Sequence, residues 1–203
     1  MTPIEKEAVL PAPSRPKPVR IVCGLGNPGE QYARTRHSAG FATVDELARR
    51  AGVRYWKEQA GCLVSTFVLE LPDGSKRDIL LAKPMSFMNT SGGPLSKLMR
   101  SERIDPAELL VVHDEVDLPA GRVAAKWSGG LNAHNGLRSI AEKLGTRDFQ
   151  RIRFGIGRPP GRMSVADWAL RQLKGSFAEE FDLTVLSAAD LAESCLRDGV
   201  PLS

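Results

Sequence analysis

Arg20-Ile21-Val22-Cys23-Gly24-Leu25-Gly26-Asn27-Pro28-Gly29 decides how the 203-residue chain is read. A short apolar run closed by glycines is the pattern of a buried strand in an α/β sheet. Gly24, Gly26 and Gly29 also match the three-glycine spacing of a dinucleotide-binding turn, so a nucleotide-binding oxidoreductase is the first reading to test. The context argues against it. Pro28 removes a backbone N–H from the turn that would cradle a phosphate, the next helix is delayed to about Gly40, and no acidic residue closes a second strand at the required distance. The better reading is a loop at the carboxyl end of a first strand, where open α/β sheets place their ligands, delivering Asn27, Tyr32 and His37.

Downstream of this loop, Phe41, Val44, Leu47 and Ala48 recur at helical spacing and predict a helix ending near Gly52. Residues 62–71 and 77–83 are β-rich and flank Pro72-Asp73-Gly74-Ser75, which predicts an antiparallel hairpin and therefore a mixed sheet. Leu95, Leu98 and Met99 mark a helix capped by Thr90 or Ser91, and Leu109-Leu110-Val111-Val112 is the next buried strand. A weaker strand over 123–127, a helix over 135–144, a strand over 152–157 and a long helix carrying Phe177, Phe181, Val185, Ala188, Leu191 and Cys195 complete the pattern. The expectation is one three-layer α/β/α domain over residues 19–203, with a mixed, mostly parallel twisted sheet and helices on both faces. Residues 1–18, with Pro11, Pro13, Pro16 and Pro18 among charges, lack apolar area to bury and are expected to form a flexible tail. Glu5, Glu7 and the few serines argue against an organelle transit peptide.

The formal charge of +4 favours an acidic partner without proving one. Cys23, Cys62 and Cys195 are odd in number and lie in apolar runs, so they read as free thiols in a reducing cytoplasm. No run approaches the roughly 20 apolar residues of a membrane span.

Four ordered segments carry a resemblance. Gly24 to Tyr32 with Thr35-Arg36-His37-Ser38-Ala39-Gly40, then Lys83-Pro84-Met85-Ser86-Phe87-Met88-Asn89-Thr90-Ser91-Gly92, then His113-Asp114-Glu115-Val116-Asp117-Leu118-Pro119, then His134-Asn135-Gly136 resemble the signatures of bacterial-type peptidyl-tRNA hydrolases over about residues 20–175. The resemblance implies a monomeric, metal-free and cofactor-free cytoplasmic enzyme that cuts the ester between a peptide and tRNA, holding the 3′ CCA end and acceptor stem. It implies His37 as the general base that activates water, Asp114 as the carboxylate that orients it, and Asn89 as an amide donor to the developing oxyanion. Asn27 and Asn135 would add further amides, Phe87 would contact substrate, and Lys126 and Arg153 would hold the tRNA's 5′ phosphate.

Bland readings stand beside each of these. Asp114 on its own would be a cap or turn residue, and each asparagine a loop residue bonded to its own backbone. Tyr32 either stacks on the terminal adenosine or packs against its loop. Lys126, Arg151 and Arg153 either grip phosphates or form a solvated basic edge. His113 and His134 have no metal-ligand spacing and read as supporting residues. There is no Gly-x-Ser-x-Gly elbow, which favours direct attack by water over an acyl-enzyme. Where the family has a glycine-rich run with a histidine, this chain has Leu131, Asn132 and Ala133, so the loop over the site is expected to be stiffer or differently shaped. A rival from another class is an RNA-binding protein on the same fold, like the splicing relatives in plant organelles.

Overall fold

The computed structural model describes residues 15–201. The expected tail falls mostly on residues 1–14, which lie outside the described residues. Lys17, also assigned to that tail, is held in place: its backbone N–H donates to Ala107 O at 3.1 Å and its Nζ reaches Asp105 at 2.9 Å.

Strand β1 (Ile21–Gly24) leads through a short helix α1 (Glu30–Ala33) and a 3-10 turn (Arg36–Ser38) into α2 (Ala39–Arg50). Then come β2 (Lys57–Gln59), β3 (Cys62–Glu70), β4 (Lys76–Pro84), α3 (Gly92–Ser101), β5 (Leu109–Glu115), β6 (Val123–Trp127), α4 (Asn135–Leu144), β7 (Gln150–Gly155), α5 (Val165–Leu170) and α6 (Ser176–Asp198). The seven strands form one sheet in the order β2-β3-β4-β1-β5-β7-β6. The pairings β4-β1, β1-β5 and β5-β7 are parallel, and the outer three are antiparallel. The parallel part is therefore the four-strand middle, whose apolar β1 and β5 are buried along their whole length, as parallel strands covered on both faces require.

Val44 and Leu47 of α2 with Phe181, Val185 and Ala188 of α6 pack on Val22, Leu110, Val112 and Ile152, covering one face of the sheet. Leu95, Leu98 and Met99 of α3 with Leu137 and Ile140 of α4 pack on Ile21, Cys23, Leu109 and Val111, covering the other. Each large aliphatic side chain buried in this way contributes roughly 1.5–3 kcal/mol. The three layers match the sequence expectation, as does the hairpin: β3 and β4 pair antiparallel, and Gly74 turns at φ 81° while Asp73 Oδ1 accepts from Ser75 N–H.

Two local details differ from the sequence reading. Helix α3 is not capped by a hydroxyl of Thr90 or Ser91, whose side chains bond back to Phe87 O and Met88 O. Instead Gly92 N–H donates to Ser139 Oγ of α4 at 3.0 Å, across a contact so close that a Cβ on Gly92 would lie 2.1 Å from Ser139 O. Helix α5 was not expected, because six residues are too few to display a helical period.

Candidate active site

The carboxyl ends of β1 and β5 and the amino ends of α2 and α4 meet at one crevice. Its first wall depends on a backbone approach. Leu25 N–H donates to Val112 O at 3.0 Å and Leu25 O accepts from Phe41 N–H at 3.2 Å. A Cβ on Gly40 would lie 2.2 Å from Leu25 N and 2.3 Å from Val112 O, and one on Gly24 would lie 2.2 Å from Gly40 O. Gly24 and Gly40 thus serve strand-to-helix contact, not a phosphate cradle. The following turn is fixed through Tyr32, whose carbonyl accepts from Thr35 Oγ1 at 2.8 Å and Ser38 Oγ at 2.7 Å. His37 sits on this pinned turn with its side chain 18 % exposed.

Asp114, buried near the end of β5, has its Oδ1 2.9 Å from His37 Nδ1 and 3.0 Å from His134 Nε2. His134 caps α4, its Nδ1 accepting from Leu137 N–H at 3.3 Å, which leaves the proton on Nε2 to be donated to Asp114. A helix terminus therefore sets the tautomer of one imidazole, and one carboxylate oxygen accepts from both. Burial alone would push the Asp114 carboxyl up, but the two imidazoles facing it outweigh that and hold it well below the usual carboxylate range. Burial likewise lowers the pKa of His37, but the charge of Asp114 and the hydrogen bond to it raise it above the ordinary histidine value on balance. His37 donates through Nδ1, so Nε2 is the ring nitrogen left to take a proton.

His113 lies beneath. Its Nδ1 donates to Asp114 O at 2.8 Å, and its ring meets His134 edge-on with centroids 5.0 Å apart. Burial, then the neighbouring His134, push it down to about 3, so it stays neutral and serves to pack and orient. His37, Asp114 and His134 also offer ligand atoms within 4.8 Å of one another, a juxtaposition hidden in the sequence because three separate segments supply it. Both nitrogens already donate to Asp114, so a metal there would have to displace two N–H protons.

The crevice has a volume of about 340 Å³, and Asn27, His37, Asp114, His134 and Asn135 line its polar side. Val165, Ala166, Ala169 and Leu170 of α5 make its apolar wall. Asn27 Oδ1 accepts from Met88 N–H at 2.8 Å, which leaves its NH₂ as the free donor and ties the first loop to the 3-10 turn Met88–Thr90. Asn89 is on that turn, exposed, and does not line the crevice. Phe87, on the same rim, is 59 % exposed. Tyr32 is half-buried and likewise does not line the crevice.

The three cations of the basic edge separate. Lys126 is half-exposed on the edge strand β6, opposite Arg151. Arg151 is buried and committed to the loop above it, donating to Gly130 O at 2.7 Å and Gly129 O at 2.8 Å, and burial lowers it to about 10. It is a clamp, which corrects both readings of it, the phosphate grip and the solvated edge. Arg153 Nε lies 3.2 Å from Glu115 Oε2, and that buried carboxylate also accepts from Asn132 Nδ2 at 3.1 and 3.2 Å. Glu115 went unnoticed in the sequence. Its partners come from a neighbouring strand and from Asn132, a departure from the family pattern that takes φ 46° here.

A histidine held by a carboxylate, beside free amide donors in a half-apolar crevice at the carboxyl ends of parallel strands, is the arrangement of a hydrolytic site on an α/β fold. A sequence profile for peptidyl-tRNA hydrolase matches residues 21–202. The chain belongs to the peptidyl-tRNA hydrolase family. It is 49 % identical over 180 residues to a peptidyl-tRNA hydrolase of Frankia alni, covering 89 % of each chain, and 45 % identical to one of Streptomyces coelicolor, covering 89 % of this chain and 90 % of that one. Among solved structures, an Arg119Gln mutant of Acinetobacter baumannii peptidyl-tRNA hydrolase superposes with a TM-score of 0.80 at 31 % identity, covering 90 % of this chain and 91 % of that one.

Proposed function

We propose that this chain hydrolyses the ester between a peptide and the 3′ end of tRNA in prematurely released peptidyl-tRNA, freeing the peptide and returning the tRNA to translation. The observation that carries the reading is the 2.9 Å contact between His37 Nδ1 and Asp114 Oδ1 at the wall of the crevice. With Nδ1–H committed to Asp114, His37 Nε2 draws a proton from water, the oxygen of which attacks the ester carbonyl. Asp114 stabilises the imidazolium that forms, and the proton returns to the leaving ribose hydroxyl. Amide NH₂ groups of Asn27 and Asn135 on the crevice wall supply the oxyanion donors, with Asn27 already oriented for it by Met88 N–H, and Asn89 joins them if its exposed turn closes on substrate. Phe87 on the rim and Tyr32 on the loop after β1 contact the CCA end, and Lys126 and Arg153 take a phosphate of the acceptor stem.

No residue of this arrangement calls for a cofactor. We place the enzyme in the cytoplasm as a monomer, in keeping with its three free, buried thiols. Among the described residues, no helix is long and apolar enough to cross a membrane. The rival, an RNA-binding protein of this fold without hydrolysis, gives no reason for a histidine, a carboxylate and a tautomer-fixed second histidine to converge in a crevice.

A defined peptidyl-tRNA, mixed with excess enzyme, tests the reading. His37→Ala should slow single-turnover release by about 10²- to 10⁴-fold, the range of a positioned general base, with tRNA affinity near wild type. Unchanged release would remove His37 from the mechanism, and no release by the wild type would favour the rival.

A further inference from the structure

Helix α5 has a second side. While Val165, Ala169 and Leu170 face the crevice, Trp168 lines a separate cleft of about 410 Å³ with Arg36, Arg171, Gln172, Lys174 and Phe177. Arg36 is the residue before His37 and is only 6 % exposed. Its guanidinium carbon stands 3.5 Å from the centroid of the Trp168 ring and 5.4 Å from that of Phe177. Its hydrogen bond within the chain is a long one, Nη1 to Trp168 O at 3.5 Å. The indole is fixed in turn, its Nε1–H shared between Ile156 O at 3.1 Å and Gly157 O at 3.0 Å.

Among the described residues, no ion pair involves Arg36, Arg171 or Lys174. A cation taken out of water without a counter-charge is costly, and a second cation beside it adds to the cost. Glu180, the acidic group facing Arg36 from α6, pulls the other way but makes no ion pair with it. The cleft thus presents a buried guanidinium, two exposed cations and the ring of Phe177, which is 55 % exposed and set edge-on to Trp168. Clustered cations attract phosphate, and a solvated aromatic ring offers a stacking surface to a base.

We propose that this cleft binds a nucleotide, with its phosphate among Arg36, Arg171 and Lys174 and its base on Phe177. The nucleotide is either a unit of the substrate tRNA remote from the ester, which rests on the hydrolase reading, or a free mononucleotide, which does not. Occupancy would report directly to the turn that carries His37, because Arg36 belongs to that turn.

Binding of adenosine monophosphate and of deacylated tRNA should be measured on the full chain, for the wild type, for Arg171→Ala combined with Lys174→Ala, and for Phe177→Ala and Phe177→Tyr. The changed side chains are exposed, so thermal melting close to wild type will show that each variant folds. Phe177→Ala should weaken the nucleotide by about five- to hundredfold, the worth of one stacked base, and Phe177→Tyr should restore it. If the ligand is part of tRNA, the double variant lowers the log-log salt slope of tRNA binding by about one unit. If it is a free nucleotide, the tRNA slope holds and monophosphate binding alone is lost. No monophosphate binding by the wild type, together with an unchanged tRNA slope in the double variant, overturns the proposal and leaves Arg36 as a tie between α5 and the His37 turn. A wild type that binds monophosphate but cleaves no peptidyl-tRNA would count against the hydrolase reading and not against the cleft.

Discussion

Asp114 and Glu115 are consecutive on β5 and equally buried at 5 % exposure, yet they are paired with groups of different kinds. Asp114 faces two imidazoles, both donating to it through a ring N–H. Glu115 faces a guanidinium that stays charged and an amide that never is. Strand alternation sends successive side chains to opposite faces, so one residue step separates two duties. The first carboxylate tunes a proton acceptor. The second fixes the loop over the crevice and occupies Arg153. A buried carboxylate is costly in either place, and the identity of the partner decides what is gained in return.

The contrast predicts opposite phenotypes. Asp114→Asn should slow single-turnover ester cleavage by about a hundredfold or more, with tRNA affinity little changed, because the base loses its orienting charge. A loss in binding with intact chemistry would invert the comparison. Among the amides, Asn27→Ala should also cost about a hundredfold in the chemical step if its NH₂ meets the oxyanion. Asn89→Ala, from the exposed rim, should match that only if the turn carrying it closes on substrate, so single-turnover rates for the two variants rank the donors.

The Glu115 side of the comparison concerns binding. Lys126→Ala with Arg153→Ala should weaken full-length peptidyl-tRNA and flatten its salt slope by about one unit, for the one phosphate they share. Glu115→Gln should act in the other direction and more weakly, tightening tRNA binding as Arg153 loses a carboxylate that competes with the phosphate. Titrations of tRNA at several salt concentrations check both. An unchanged slope in the double variant would return Lys126 and Arg153 to a solvated basic edge.

Much of this was legible in the sequence. The layers, the hairpin and α4 follow from apolar period and turn residues, which are local signals. His37 and Asp114 emerged through motif resemblance, and the structure brings them to hydrogen-bond distance. What stayed hidden is non-local. Asn132 bonds a carboxylate 17 residues earlier, Arg151 holds carbonyls 21 and 22 residues away, and Gly92 is capped by a hydroxyl on another helix. The sequence alone makes His134 a supporting residue, because its bond to Asp114 depends on α4 beginning beside the end of β5. No periodicity encodes such pairs.

The pH dependence of single-turnover cleavage, compared between wild type and Asp114→Asn, tests the central claim most directly. His37 must be unprotonated to accept a proton, so the rate rises as pH rises through its pKa. In the wild type the charge of Asp114 sets that pKa above the ordinary histidine value, and the acid limb should inflect above about 6.5. In the variant that charge is gone while the burial that lowers the pKa remains, so the inflection should move below the wild-type value and the plateau should fall. An acid limb at the same pH in both proteins, or a wild-type inflection well below that of an ordinary histidine, would contradict the assignment of His37 as a base governed by Asp114.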